Sequence, residues 1–190
     1  MLEEATMEVH TTAEWNEALW EQAEHVYREA FPEPGSKTRV IIRNMFEKRM
    51  CHLHTAAENG RIVAMALTGM DAEAAVLIID YLAVSKDVRG RGFGRSFLER
   101  IEAWARTAAG CKGVVIEVEA EPGTDNEGRI LFWERCGYRL TEYVHTYRWV
   151  PETYRAMYKN FDPDRPLPGD GESLFRYITK FHNKAYRGSN

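Results

Sequence analysis

Apolar positions along the chain change period several times, and each change marks an element. Trp15, Leu19, Ala23, Val26 and Ala30 recur at helical spacing, which predicts one amphipathic helix after a short strand around Met7 to His10. Thr11 and Glu14 stand at capping-box spacing before that helix, and Pro32, Pro34 and Gly35 stop it. A second helix, about Thr38 to Arg49, carries Val40, Ile41, Met45 and Phe46. The stretch CHLHTAAENGRIVAMALTGM then sets two apolar runs around Asn59-Gly60, a dipeptide suited to the positive φ angles of a type I′ turn, and predicts a β-hairpin. The run AAVLIIDYLAV, Ala74 to Val84, is continuous enough for a strand buried on both faces.

From Arg95 the period is again helical, with Phe97, Leu98, Ile101, Trp104, Ala105 and Ala108 on one stripe ended by Gly110. Val114 to Val118 is a further buried strand. Asp125 caps a predicted helix from Asn126 to about Cys136, and Gly137 suits its left-handed C-terminal turn. Tyr138 to Trp149 alternates as one or two closing strands. Beyond Pro151, Tyr154, Met157, Tyr158 and Phe161 have the spacing of a short amphipathic helix. DPDRPLPGDG is a turn-rich linker, and Leu174, Phe175, Ile178 and Phe181 predict a last helix. The expected fold is a mixed α/β domain over residues 1–150. Residues 151–190 are expected to be a C-terminal helical extension, packed on the same domain or on a partner subunit.

Composition narrows the function classes. The chain has 190 residues, 44% apolar and 28% charged, enough for one well-packed domain. A net charge of −4 supplies no global field for nucleic acid. Three scattered cysteines, Cys51, Cys111 and Cys136, suggest neither a disulfide framework nor a zinc site. With no apolar targeting or spanning stretch, the chain is expected to be cytoplasmic, without membrane or nucleic-acid partners.

The chemistry concentrates in RGRGFGR, Arg89 to Arg95. Its RGFG core matches the start of an RNA-binding sheet signature. However, Arg95 stands where that signature needs an aromatic residue, and the chain continues as a helix. It lacks the GxGxxG spacing of a dinucleotide fold and the GK[ST] ending of a P-loop. A glycine turn between a strand and a helix start instead suits a pyrophosphate, held by converging amides and the helix N-terminus. A basic surface turn is the plainer alternative.

These residues resemble the GCN5-related N-acetyltransferase (GNAT) superfamily, whose signature is a strand followed by [QR]xxGxG[AG] and a helix. Here it reads YLAVSKDVRGRGFGR, with Arg89, Gly92 and Gly94 on the signature positions. NEGRILFWERCGY matches a second family element through Asn126, Leu131 or Phe132, Gly137 and Tyr138. The resemblance spans about Met7 to Val150 and implies a mostly antiparallel central sheet flanked by helices. It also implies acetyl-coenzyme A as cosubstrate and transfer of its acetyl group to a primary amine of a small molecule or peptide, by direct attack in a ternary complex. Carried over residue by residue, Leu82, Ala83 and Val84 meet pantetheine and acetyl. Arg89, Gly90, Arg91, Gly92, Phe93, Gly94 and Arg95 hold the pyrophosphate, and Asn126 and Trp133 flank the thioester.

Trp133 departs from the family, which frequently has a tyrosine there to protonate the leaving thiolate. Tyr138, Tyr143, Tyr147 or water are the substitutes, with Tyr138 the expected catalytic residue. A non-catalytic acyl-coenzyme A-binding or regulatory domain is the rival this departure raises.

A lysine-like ammonium has a pKa of about 10.4 and must lose a proton before it attacks. Asp80, an acid inside an apolar strand, is the expected base or amine-binding group, its alternative being a structurally paired acid. Glu117 and Glu119 are runners-up, whereas His52, His54 and His145 are expected to be structural. The tyrosine-rich tail either walls the acceptor pocket, packs against a second subunit in a homodimer, or covers the core.

Overall fold

A computed structural model describes residues 7–188. In chain order it has β1 (Glu8–Thr12), α1 (Glu17–Ala30), α2 (Arg39–Glu47), β2 (Cys51–Glu58), β3 (Arg61–Asp71) and β4 (Val76–Val84). There follow α3 (Phe93–Thr107), β5 (Gly113–Glu119), α4 (Thr124–Arg135), β6 (Arg139–Thr146), β7 (Thr153–Asn160) and α5 (Gly171–Tyr186). The strands form one seven-stranded sheet in the order β1-β2-β3-β4-β5-β7-β6. Of the pairs with a defined register, only β4–β5 is parallel, from Val76 opposite Gly113 to Ile78 opposite Val115. This is the mixed, mostly antiparallel sheet with flanking helices that the family resemblance implies.

Among the described residues the chain divides into two compact units. The first takes residues 7–69, 80–103 and 188. Its core is aromatic: Trp20 lies 5.5 Å from Tyr27, and Tyr27 lies 5.0 Å edge-on to Tyr81. The hairpin turns as expected, Asn59 and Gly60 having φ of 52° and 75°. His54 is fully buried in β2, its ring held between the hydroxyls of Thr11 at 2.8 Å and Thr68 at 2.9 Å. Burial lowers its pKa to about 3, so a structural role fits.

The expected cap of the first helix is corrected. Thr11 belongs to β1, and Asn16 caps α1 by accepting the Leu19 N–H at 2.9 Å. Thr38 does the same for α2.

The second unit takes residues 70–79 and 104–187. Here the tail departs from the predicted short helix. Thr153–Asn160 is a strand, lying between β5 and β6 and pairing antiparallel with both. The helical spacing of Tyr154, Met157, Tyr158 and Phe161 is overridden because two neighbouring strands satisfy this segment's backbone groups. The consecutive residues Ala156, Met157 and Tyr158 are all buried, a pattern for a covered strand rather than one helical face. Gly113 permits this approach: a Cβ there would lie 2.6 Å from the Lys159 carbonyl oxygen and 2.7 Å from Leu167. Helix α5 covers β5, β6 and β7 with Leu174, Phe175, Ile178 and Phe181, as its apolar spacing predicts. A second cap is also corrected: α4 begins at Thr124 after Gly123, and Asp125 sits within its first turn.

Candidate active site

In the first unit, β4 delivers its last residues to a glycine turn at the start of α3. A single 3-10 turn, Lys86–Val88, breaks the strand direction after Ser85. Gly90 and Gly92 then take φ of 77° and 75°, left-handed angles that an L side chain adopts only under strain. No atom lies within 4 Å of a Cβ built on either glycine, so the backbone demands them and their outer face stays open. The first closing bond of α3 runs from the Ser96 N–H to the Gly92 carbonyl at 3.1 Å. The amides of Phe93, Gly94 and Arg95 therefore form the exposed first turn of a helix with no acidic residue there. Partial positive charge, left-handed glycines and neighbouring arginines together make an anion cradle.

The three arginines of the loop have protein partners. The Arg89 Nε donates to the Val84 carbonyl at 2.9 Å, fastening the loop to the end of β4. Arg91 forks onto Glu58 at 2.6 and 3.2 Å, and Arg95 pairs with Glu99 at 3.0 Å. Leu82, Ala83 and Val84 form the adjoining end of β4.

Asp80 lies at the deeper part of that strand, paired with a residue that sequence reasoning missed. Lys37 Nζ donates to its Oδ1 at 2.9 Å, and the two side chains are only 2% and 3% exposed. The aromatic core fixes Lys37: the Tyr27 hydroxyl donates to its carbonyl at 2.8 Å, and its N–H donates to the Tyr81 hydroxyl at 3.0 Å. A lysine in a proline- and glycine-rich connection carries no periodic signal for burial. The signal lay in the unexplained charge of Asp80 within an apolar run.

The second unit holds the other candidates. The Asn126 side chain donates to the Glu121 carbonyl and accepts from Arg129, both at 3.0 Å, beside a depression lined by Glu119, Gly123, Thr124 and Asp125. Trp133 is 9% exposed and Tyr138 3%, their rings 4.9 Å apart and edge-on. Lys159 Nζ stands 5.7 Å from the Tyr138 ring centre.

Glu117, on β5, is the best-organised carboxylate of this unit. The Tyr147 hydroxyl donates to its Oε2 at 2.6 Å, and His182 Nε2 lies 2.7 Å from its Oε1. The Glu117 side chain is 21% exposed, so solvent reaches it. Around it stand His145, stacked on Phe175 at 4.2 Å, and Tyr154, 5.5 Å from Tyr147. Burial pushes His145 below the usual histidine range and raises Tyr154 to about 12, the latter helped by the carboxylates of Glu117 and Glu152. His182 also escaped sequence reasoning. It neighbours Phe181 on the apolar side of α5, and only the β5–α5 packing reveals its partner. Among the described residues, no group of histidines, cysteines and acids is arranged to hold a metal ion, and no helix is long and apolar enough to cross a membrane.

Comparison with known proteins bears on the family and the fold. An uncharacterised N-acetyltransferase of Methanocaldococcus jannaschii is 32% identical over 117 residues, 61% of this chain and 69% of that one. A GNAT-family acetyltransferase structure from Bacteroides thetaiotaomicron shares the fold with a TM-score of 0.69 at 19% identity, covering 95% of this chain and 98% of its own. An aminoglycoside 6′-N-acetyltransferase solved with coenzyme A gives 0.68 at 15% identity, covering 84% and 99%. The acetyltransferase (GNAT) family model matches residues 14–138, more than half of the chain and both glycine-bearing motifs, so the protein belongs to that family.

Proposed function

We propose that the protein is an N-acetyltransferase that uses acetyl-coenzyme A to acetylate a primary amine of a small molecule or peptide, by direct attack without a covalent enzyme intermediate. The observation that carries this reading is the loop at the start of α3. Its two left-handed glycines open outward beside a helix N-terminus free of acids, in a chain of the acetyltransferase family. That donor set fits a pyrophosphate.

When bound, acetyl-coenzyme A supplies a thioester, whose leaving thiolate belongs to a thiol of pKa about 8.5. The amides from Gly90 to Arg95 would hold the phosphates, with Arg89, Arg91 and Arg95 adding positive charge. The backbone of Leu82, Ala83 and Val84 would pair with the pantetheine arm and polarise the acetyl carbonyl. The acceptor amine loses its proton before its nitrogen attacks the acetyl carbon. The N–C bond then forms as the C–S bond breaks, and the proton shed by the new amide nitrogen passes to the departing thiolate or to solvent.

Glu117 is the residue we assign to receive that proton. Its side chain is 21% exposed, open to solvent, and Tyr147 and His182 each bond one of its oxygens. Asp80 is less suited: protonating it would strand the buried ammonium of Lys37 without its counter-charge. With an indole at Trp133 and a thiol that ionises near neutrality, no dedicated acid is assigned. Tyr138 is buried against Trp133, and the Tyr147 hydroxyl is engaged by Glu117.

The buried Trp133 also favours one second reading, a coenzyme-binding domain without turnover. Release of free thiol from acetyl-coenzyme A across a panel of primary amines separates the two. Turnover that falls about 100-fold or more in Glu117→Gln but little in the double variant Lys37→Met with Asp80→Leu, which leaves no stranded buried charge, is the expected result. Tight coenzyme binding with no thiol release on any amine would establish the second reading instead.

A further inference from the structure

The matched family region ends at residue 138, yet Glu117 is bonded by two residues beyond it, Tyr147 and His182. His182 lies one position past Phe181 on α5, and its side chain is 17% exposed. A polar ring beside an apolar helix face loses hydration and needs a bond in return. Against an ionised carboxylate, which only accepts hydrogen bonds, the imidazole Nε2 is the donor. With Tyr147 donating to the other oxygen, the carboxylate plane is held at both ends.

We propose that His182 is a positioning residue: through Nε2 it orients the Glu117 carboxylate and keeps it ionised, so that the C-terminal helix sets the readiness of the proton-accepting group. This rests on the assignment of Glu117 above. The same arrangement explains the ring packing around it, with the Tyr147 ring edge-on to His182 at 6.0 Å and the His145 ring edge-on to Tyr147 at 4.7 Å. The titratable groups that meet Glu117 come from the strands under α5 and from α5 itself: His145 and Tyr147 on and after β6, Tyr154 on β7, and His182. Of these, His182 and Tyr147 bond its oxygens directly. His182 alone of the two can bring a positive charge.

The test uses the full chain with carbon-13 in its glutamate carboxyls, titrated by NMR without any ligand. Replacing His182→Phe keeps a ring but removes the donor; His182→Gln keeps an N–H near the Nε2 position. The pH at which Glu117 protonates is expected to rise by about one unit in His182→Phe and to return most of the way in His182→Gln. A folded His182→Phe protein in which Glu117 titrates as in the unaltered chain overturns the proposal. Should that variant not fold, the unaltered protein decides. Its His182 Nε2 resonance must shift as Glu117 titrates, and a resonance that ignores that titration overturns the proposal equally.

Thiol release with acetyl-coenzyme A and the best amine of the panel adds the functional arm. His182→Phe should lower kcat about tenfold or more and leave the KM for acetyl-coenzyme A unchanged, with His182→Gln restoring most of it. Full activity in Glu117→Gln would remove Glu117 from the chemistry while leaving the NMR result standing, so the two failures are distinguishable.

Discussion

Single residues decide the balance between structure and chemistry in this chain. The Lys37–Asp80 pair is buried on both sides, so each partner alone would be an unmatched charge in an aromatic core. Replacing Lys37→Met should therefore cost about 3–5 kcal/mol, and the double variant with Asp80→Leu should recover much of that loss, as urea unfolding would measure. Similar small losses in the single and double variants would contradict the pairing. His54 makes a second prediction. Its folded pKa of about 3 lies below the ordinary 6.5, because burial disfavours the charged ring. Below pH 6.5 the unfolded chain therefore binds a proton that the folded chain refuses. The stabilisation is complete above about pH 6.5 and is lost as pH falls toward 3, at up to about 1.4 kcal/mol per pH unit. Unfolding free energies at several pH values should show this slope, and His54→Asn should lack that part of it. The role of His54 was legible as structural, whereas Lys37 was not. A residue's burial depends on partners distant in sequence, and Lys37 meets Asp80 across 43 positions.

At the scale of elements, periodicity was reliable where one face of a helix met a core and where an apolar run was continuous, as in β4 and β5, and it failed at β7. The stripe of α3 and the Asn59-Gly60 hairpin could be read directly, since local geometry determines both. Strand β7 could not, because its spacing fits a helix and only its two neighbours make it a strand. Gly113 marks where that pairing is tightest. Gly113→Ala would press a Cβ against the Lys159 carbonyl, a backbone atom with little freedom to move. We expect a loss of about 1–3 kcal/mol in thermal or urea unfolding. Gly123→Ala, at extended φ of 164° with nothing within 4 Å of the new Cβ, should be close to neutral. Equal effects at the two positions would refute the close approach of β5 and β7.

For the molecule as a whole, fold and family were legible because strand, glycine turn and helix follow one another locally. The Glu117 cluster was harder to read, because Glu117, Tyr147 and His182 are scattered over 65 positions and meet only through packing. The tail supplies a strand of the sheet and, through His182, a partner of Glu117. A chain ending at residue 150 would lack the strand between β5 and β6, and circular dichroism should find it unfolded. A chain ending at residue 170 keeps every strand but loses the buried Leu174, Phe175, Ile178 and Phe181, and should melt at a markedly lower temperature. A stable, native-like product of the first truncation would contradict the sheet order. The central claim, that the turn at the start of α3 holds the phosphates of acetyl-coenzyme A, is tested most directly by calorimetric titration of that ligand. Gly92→Glu is the variant, and Gly110→Glu, at a left-handed φ of 65° beyond the opposite end of α3, is the control. Binding is expected to the unaltered protein and to Gly110→Glu, with at least about a tenfold loss in Gly92→Glu from a carboxylate set against phosphate. No binding to the unaltered protein, or equal affinity in the two variants, would contradict that claim.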